Sequence, residues 1–157
     1  MTLMKKLMVG GTAFFVLIVA AGIYISQQTM EFKKFHEHIV YEFMPELTAS
    51  WNLADVESRV SPEFLEQASS EEGRAYLQQF SVLGPVQNIG EVAVGKYFSG
   101  SDGAFGEFIF KAQFVPAQVL VKLTLHEKDG EVWVQGITIN SLDAEGKQTD
   151  FALATPE

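Results

Sequence analysis

The chain contains no cysteine, and this absence excludes several kinds of protein. It can form no disulfide and no thiolate-bound metal site. It also has no thiol that could be acylated as in a lipoprotein. The composition fits a bacterial envelope protein that does not depend on disulfide formation.

Charge is missing from residues 7–25, whose sequence is LMVGGTAFFVLIVAAGIYI. A helix over these nineteen residues would be about 28 Å long at ~1.5 Å per residue, close to the ~30 Å hydrocarbon thickness of a bilayer. The segment also lacks small residues spaced four apart, which would favour a helix dimer, and its lack of charge offers no ion path. It therefore predicts a passive single-pass anchor, with the principal residues Lys5, Lys6, Leu7, Phe14, Phe15, Leu17, Ile18 and Ile25.

A cleaved signal peptide is the alternative interpretation of this segment. Lys5 and Lys6 would form its basic end, and Val19-Ala20-Ala21 offers a site for cleavage near Ala21. Apolar residues continue to Ile25, beyond a signal core of about 7–15 residues, and this favours the uncleaved anchor. The two lysines favour a cytoplasmic N-terminus, with the C-terminal domain on the periplasmic or extracytoplasmic side of the bacterial inner membrane.

Basic residues are scarce after the anchor. All twenty acidic residues lie from Glu31 onward, against nine basic ones, so this part of the chain has a formal charge of −11. Such a surface repels phosphate backbones and anionic lipid headgroups. We therefore expect no nucleic-acid partner, and contact with the lipid bilayer only through residues 7–25.

Periodicity predicts helices in the first half of the remainder and strands in the second, which is typical of one α+β domain. We expect an anchor over 1–26, a juxtamembrane helix over 27–50, the domain over 51–142 and a flexible acidic tail over 143–157. Pro45 is predicted to kink or end the juxtamembrane helix. Spacings of three and four predict that one face of this helix is buried, with the members Phe32, Phe35, Ile39, Phe43 and Leu47.

Local signals predict where the later elements begin and end. Ser61 before a proline and Ser69-Ser70 before two acids predict helix starts, and Gly84 before a proline predicts a helix end. Alternation after residue 86 predicts a four-stranded antiparallel meander, whose last hairpin turns at Asp129-Gly130. In its final strand one face is predicted to carry Trp133, Ile137 and Ile139, and the other Val132, Val134 and Thr138.

Four runs of sequence resemble exported or membrane-anchored members of the NTF2-like (cystatin-like) superfamily: WNLADVESRVSPEFLEQ, LQQFSVLGPVQ, FIFKAQF and DGEVWVQGITINS. The closing pattern of Asp129-Gly130, Trp133, Gly136 and residues 137–141 is the most recognisable part. The resemblance covers most of residues 45–142 and implies helices packed on a curved four-stranded antiparallel sheet. It implies no single function, because the superfamily includes isomerases, transport adaptors and secretion-system scaffolds. One N-terminal span before such a domain is also similar to the layout of VirB8-type secretion components, by architecture only.

The ionisable residues form no catalytic or metal-binding pattern. His36 and His38 are two residues apart on a helix, about 200° around its axis, so they cannot hold one ion within a monomer. They are expected to lie on a solvated face of the juxtamembrane helix. His126, near a hairpin turn, is predicted to be exposed. Glu107 shares the polar face of its strand, whereas Glu91 is ambiguous. We therefore expect no catalytic residue, no metal and no cofactor.

Aromatic residues remain as candidates for a binding site or for the core, where such residues more often lie. They are Trp51, Tyr97, Phe108, Phe110, Phe114 and Trp133. The anchor and the missing catalytic pattern predict a non-catalytic scaffold, adaptor or accessory subunit that binds another protein or a second copy. The alternatives are a small-molecule or lipid-binding module that uses the cone pocket of the fold, and an enzyme of the ketosteroid-isomerase type.

Overall fold

A computed structural model describes residues 27–142 and 148–149 of the chain. The chain divides into two compact units, Met1–Phe35 and His36–Glu157. In the first unit the described residues, 27–35, are helical. The predicted anchor lies outside the described residues, and no helix within them is long and apolar enough to cross a membrane. Of the predicted tail, the structure describes Gln148–Thr149.

The second unit begins with helix α1, residues 36–50, one side of which is buried. Phe43, Met44 and Leu47 are fully buried, as predicted for Phe43 and Leu47. Phe35 was predicted on the same face, but it is 64% exposed. Of the two predicted effects of Pro45, a kink or an end of the helix, the second is wrong, because the helix continues to residue 50. Proline removes one backbone hydrogen bond, but the buried side chains on both sides of Pro45 hold the chain helical.

Four short helices follow α1 and form the rest of the helical layer. They are a 3-10 helix at Leu53–Arg59, α2 at Pro62–Ser69, α3 at Glu71–Gln78 and a 3-10 helix at Gln79–Leu83. The two predicted helix starts are confirmed, because the side chains of Ser61 and Ser70 accept hydrogen bonds from the first turns of α2 and α3. Gly84, with φ of 71°, ends the last helix where predicted.

An antiparallel sheet packs against these helices, so the predicted α+β class is confirmed. The strands are β1 Asn88–Ile89, β2 Ala93–Gly100, β3 Gly103–Gln113, β4 Gln118–Lys128, β5 Glu131–Leu142 and β6 Gln148–Thr149. Their order in the sheet is β1-β3-β4-β5-β6, and β2 also pairs with β3. The described sheet has six strands rather than four, because the predicted first strand is interrupted and a short strand joins at the far edge.

The core lies between the buried side of α1 and one face of the sheet, called the inner face below. Alternate residues of β3 and β4, among them Phe108, Phe110, Leu123 and Leu125, are 0–2% exposed on this face. Hydrogen bonds also join the helical layer to β5. Ser61 N–H donates to the Val134 carbonyl at 2.9 Å, and Ile139 N–H donates to the Tyr76 hydroxyl at 3.2 Å.

A bulge in β5 changes which side chains reach the core. Thr124 pairs with Gly136 and Leu125 pairs with Val134, so Gln135 is an extra residue without a partner position on β4. Val134 is therefore on the inner face with Ile139, and both are buried. The prediction that placed Val134 opposite Ile139 is wrong, because strict alternation fails across an inserted residue.

Candidate functional site

The structure does not bring the six predicted aromatic residues together in one pocket. Four of them lie in the core and are at most 2% exposed: Trp51, Phe108, Phe110 and Phe114. Tyr97 on β2 and Trp133 on β5 are half-buried. Phe108, Phe110 and Phe114 therefore serve packing, and Trp51 also borders a cleft described below.

Trp51 directly follows α1 and has an unusual backbone. Its φ is 55°, in the left-handed region that residues other than glycine rarely adopt. Its N–H donates to the Leu47 carbonyl at 2.7 Å, which closes the end of α1. Its indole Nε1–H donates to the Gly84 carbonyl at 3.0 Å, and its ring lies 6.1 Å from Phe80 and 5.8 Å from Phe114, centroid to centroid. These hydrogen bonds and ring contacts thus hold Trp51 in a left-handed backbone conformation that glycine adopts more easily.

A cleft of about 320 Å³ lies between Trp51 and the helices α2 and α3. We call it the Trp51 cleft. Its buried lining is apolar, and its exposed lining is mostly polar. The buried members are Trp51, Leu53, Ala68 and Leu77, and the exposed members are Asn52, Ala54, Ser69, Arg74 and Gln78.

A row of four aromatic side chains crosses the opposite face of the sheet, called the outer face below. Phe98, Phe105, His126 and Trp133 are consecutive cross-strand neighbours on β2, β3, β4 and β5. The rings of Phe105 and His126 are stacked, with centroids 4.1 Å apart and planes within 4°, and Trp133 lies 5.9 Å from His126. At the end of this aromatic row Phe98 is 65% exposed. The row forms a partly exposed apolar surface.

His126 was predicted to be exposed, but it is half-buried within the aromatic row. Its Nε2 lies 2.7 Å from the carbonyl oxygen of Asp102, in the turn before β3. Since a carbonyl only accepts, Nε2 carries the hydrogen and donates it. This bond fixes the ring orientation that the stack with Phe105 requires, so the geometry assigns His126 a structural role.

His36 also has a partner that the sequence did not indicate. Its Nε2 lies 2.5 Å from a carboxylate oxygen of Glu127, near the end of β4. The His36 side chain is 12% exposed, so the expectation of a solvated His36 is wrong. His36 and Glu127 are ninety-one residues apart, which explains why no local pattern predicted the pair.

A cluster of charges joins α1 to the following 3-10 helix. Arg59 donates to Glu46 through two nitrogens, at 2.9 and 3.0 Å, and to Glu42 at 2.9 Å. The hydrogen bond to Glu46 is the main reason that the pKa of Arg59 is raised. These side chains are largely solvated, so the cluster contributes on the order of 0–1 kcal/mol to stability.

The remaining candidate acids and metal ligands do not converge. Glu91 is exposed and Glu107 is half-buried on the outer face. Within residues 27–142 and 148–149, no group of three histidine, aspartate or glutamate residues is placed to hold a metal ion. Comparison with protein families, with curated proteins and with solved structures finds no match to this chain.

Proposed function

We propose that this protein is a non-catalytic adaptor or accessory subunit of a bacterial envelope complex. It is anchored by a single membrane span over residues 7–25 and acts through an extracytoplasmic domain of the NTF2-like type. Its partner is another protein. The hydropathy of residues 7–25 supports the membrane anchor. The order of helices before an antiparallel sheet supports the domain type.

The main support for this proposal is that buried side chains fill the inner face of the sheet. Phe43, Met44 and Leu47 of α1 and Phe108 and Phe110 of β3 have exposed fractions of 0–2%. These side chains fill the space between α1 and the sheet. Within the described part of the chain the buried polar side chains are Thr48 and Ser61, which are not ionisable. Both observations favour action through the surface over chemistry in an enclosed pocket.

The aromatic row is the surface that best fits a protein partner. Aromatic side chains are enriched in protein interfaces, since they present a large apolar area with few rotatable bonds. Phe98 lies at the accessible end of the row and is 65% exposed. Phe105 and Trp133 extend the apolar area across the neighbouring strands.

Photo-crosslinking in intact cells tests the adaptor function. A photoreactive phenylalanine analogue replaces Phe98 in the full chain, and a matched chain carries it at Val82, which is 78% exposed in the second 3-10 helix. We expect one discrete protein adduct from position 98 and none of that mass from position 82. Equal adducts from both positions, or none from position 98, would refute the proposed surface.

Membrane attachment is tested separately. The full chain should stay with the membrane after an alkaline carbonate wash, and its domain should become accessible to protease when the outer membrane is opened. Release by the wash would contradict the anchor without bearing on the aromatic row.

A further inference from the structure

The Trp51 cleft has the size of a small-molecule site. Its volume of about 320 Å³ is at the lower end of the ~300–1,000 Å³ typical of ligand pockets. At ~30 Å³ per water it has room for about ten waters, and so for a ligand on the order of ten non-hydrogen atoms. Its buried lining, which includes Leu53 and Leu77, is apolar, so the inner part of such a ligand must be apolar too.

The charge at the cleft favours an anion. Arg74 is an exposed lining residue, and none of the lining residues is acidic, although the chain has a formal charge of −9. In the part of the chain that the structure describes, the ion pairs are those of His36 and Arg59, and Arg74 forms none. Glu71 and Glu72 precede Arg74 on α3 by three and two residues, and neither of them forms an ion pair with it. Asp55, next to the lining residue Ala54, has a carboxylate that accepts a hydrogen bond from Ser50. The guanidinium of Arg74 thus remains available to a carboxylate, which it can bind through two nitrogens.

The strained backbone of Trp51 is an independent observation at the same place. A bulky residue with φ of 55° is unfavourable, and such strain is concentrated at binding and active sites. The hydrogen bond to Gly84 and the rings of Phe80 and Phe114 hold the indole in position. The indole therefore forms a wall of the cleft that is rigid before any ligand arrives.

We propose that the Trp51 cleft binds a small organic carboxylate with an apolar body. The carboxylate accepts hydrogen bonds from Arg74, and the apolar body contacts Trp51, Leu53 and Leu77. This site is separate from the inner face of the sheet and from the aromatic row, so it does not depend on the adaptor function.

Tryptophan fluorescence of the full chain in lipid nanodiscs tests the proposal. Trp133→Phe leaves Trp51 as the fluorophore, since the chain has two tryptophans. The probe is 3-phenylpropionate, with the neutral alcohol 3-phenylpropanol as its matched control. We expect a saturable change in Trp51 emission with the acid. The alcohol should bind at least about tenfold more weakly, because it forms no charge-assisted hydrogen bond with Arg74.

Two variants locate the site. In the Trp133→Phe background, Arg74→Gln should weaken binding of the acid about tenfold or more, whereas Lys111→Gln, an exposed lysine on β3 outside the cleft, should leave it unchanged. Ala54→Phe places a large side chain at an exposed lining position and should abolish binding. Circular dichroism confirms that each variant is folded. A lack of saturation with the acid, equal binding of acid and alcohol, or unchanged binding by Arg74→Gln would each overturn the proposal.

Discussion

Replacement of Trp51 by glycine and by alanine should reverse the usual order of stability of these two residues. In an ordinary helix or strand, glycine is less stable than alanine by about 0.5–1 kcal/mol. At Trp51 the φ of 55° penalises alanine and leaves glycine unstrained. We therefore expect the domain with glycine at position 51 to be more stable than the domain with alanine there.

The magnitude follows from three terms. Either substitution removes a tryptophan that is 2% exposed and should cost about 3–5 kcal/mol, including the lost hydrogen bond to the Gly84 carbonyl. The left-handed backbone costs alanine about 1–2 kcal/mol that glycine avoids. Glycine loses about 0.4–1 kcal/mol through the greater freedom of the unfolded chain. The net advantage of glycine is roughly 0.5–1 kcal/mol.

Urea unfolding of the full chain in nanodiscs, followed by far-UV circular dichroism, measures both variants. The control is Ala75→Gly at an exposed position in α3, which should lose about 1 kcal/mol because its backbone is helical. If Trp51→Gly were less stable than Trp51→Ala by a similar amount, the left-handed strain at Trp51 would be refuted.

Three further predictions test other parts of the fold. Gly73→Ala should lower the free energy of unfolding, measured with urea, by about 1–3 kcal/mol, because the Cβ of alanine would lie 2.4 Å from the Gln67 carbonyl oxygen. Alanine has the better helix propensity, so a gain in stability would contradict this close approach. A double-mutant cycle of Phe105→Ala and His126→Ala should give a coupling of about 0.5–1.5 kcal/mol from their stacked rings, and additive losses would show that the stack contributes nothing. Partial removal of water raises the pKa of Tyr41 above 10.0, and so the folded state holds this proton more tightly than the unfolded state. Stability should fall as the pH rises above about 10, and Tyr41→Phe should make this fall shallower and remove a tyrosine that ionises later than a free tyrosine in an absorbance titration.

Features that depend on neighbouring residues could be predicted from the sequence. The caps at Ser61 and Ser70 each involve a backbone N–H three residues later. The hairpin at Asp129-Gly130 needs two residues with positive φ, and these residues have φ of 53° and 80°. In both cases the residues that determine the local structure are neighbours in the sequence.

Features that depend on packing could not be predicted in this way. Proline at position 45 is unfavourable in a helix, yet distant contacts of Phe43 and Leu47 outweigh that local preference. The extra residue at Gln135 changed the face of Trp133 relative to Ile139, and the sequence around it looks like any alternating strand. The aromatic row and the Trp51 cleft also combine distant segments, so neither has a local signature.

The hydrogen bonds between the helical layer and β5 have a consequence for aggregation. An exposed strand edge invites pairing with another chain. Ser61 and Tyr76 engage Val134 and Ile139, and thereby occupy the outward backbone groups of β5 at these two positions. On β2, an irregular register between Val94 and Tyr97 disrupts the regular pattern that a neighbouring strand would need. The same contacts that complete the fold thus protect the protein from edge-to-edge aggregation.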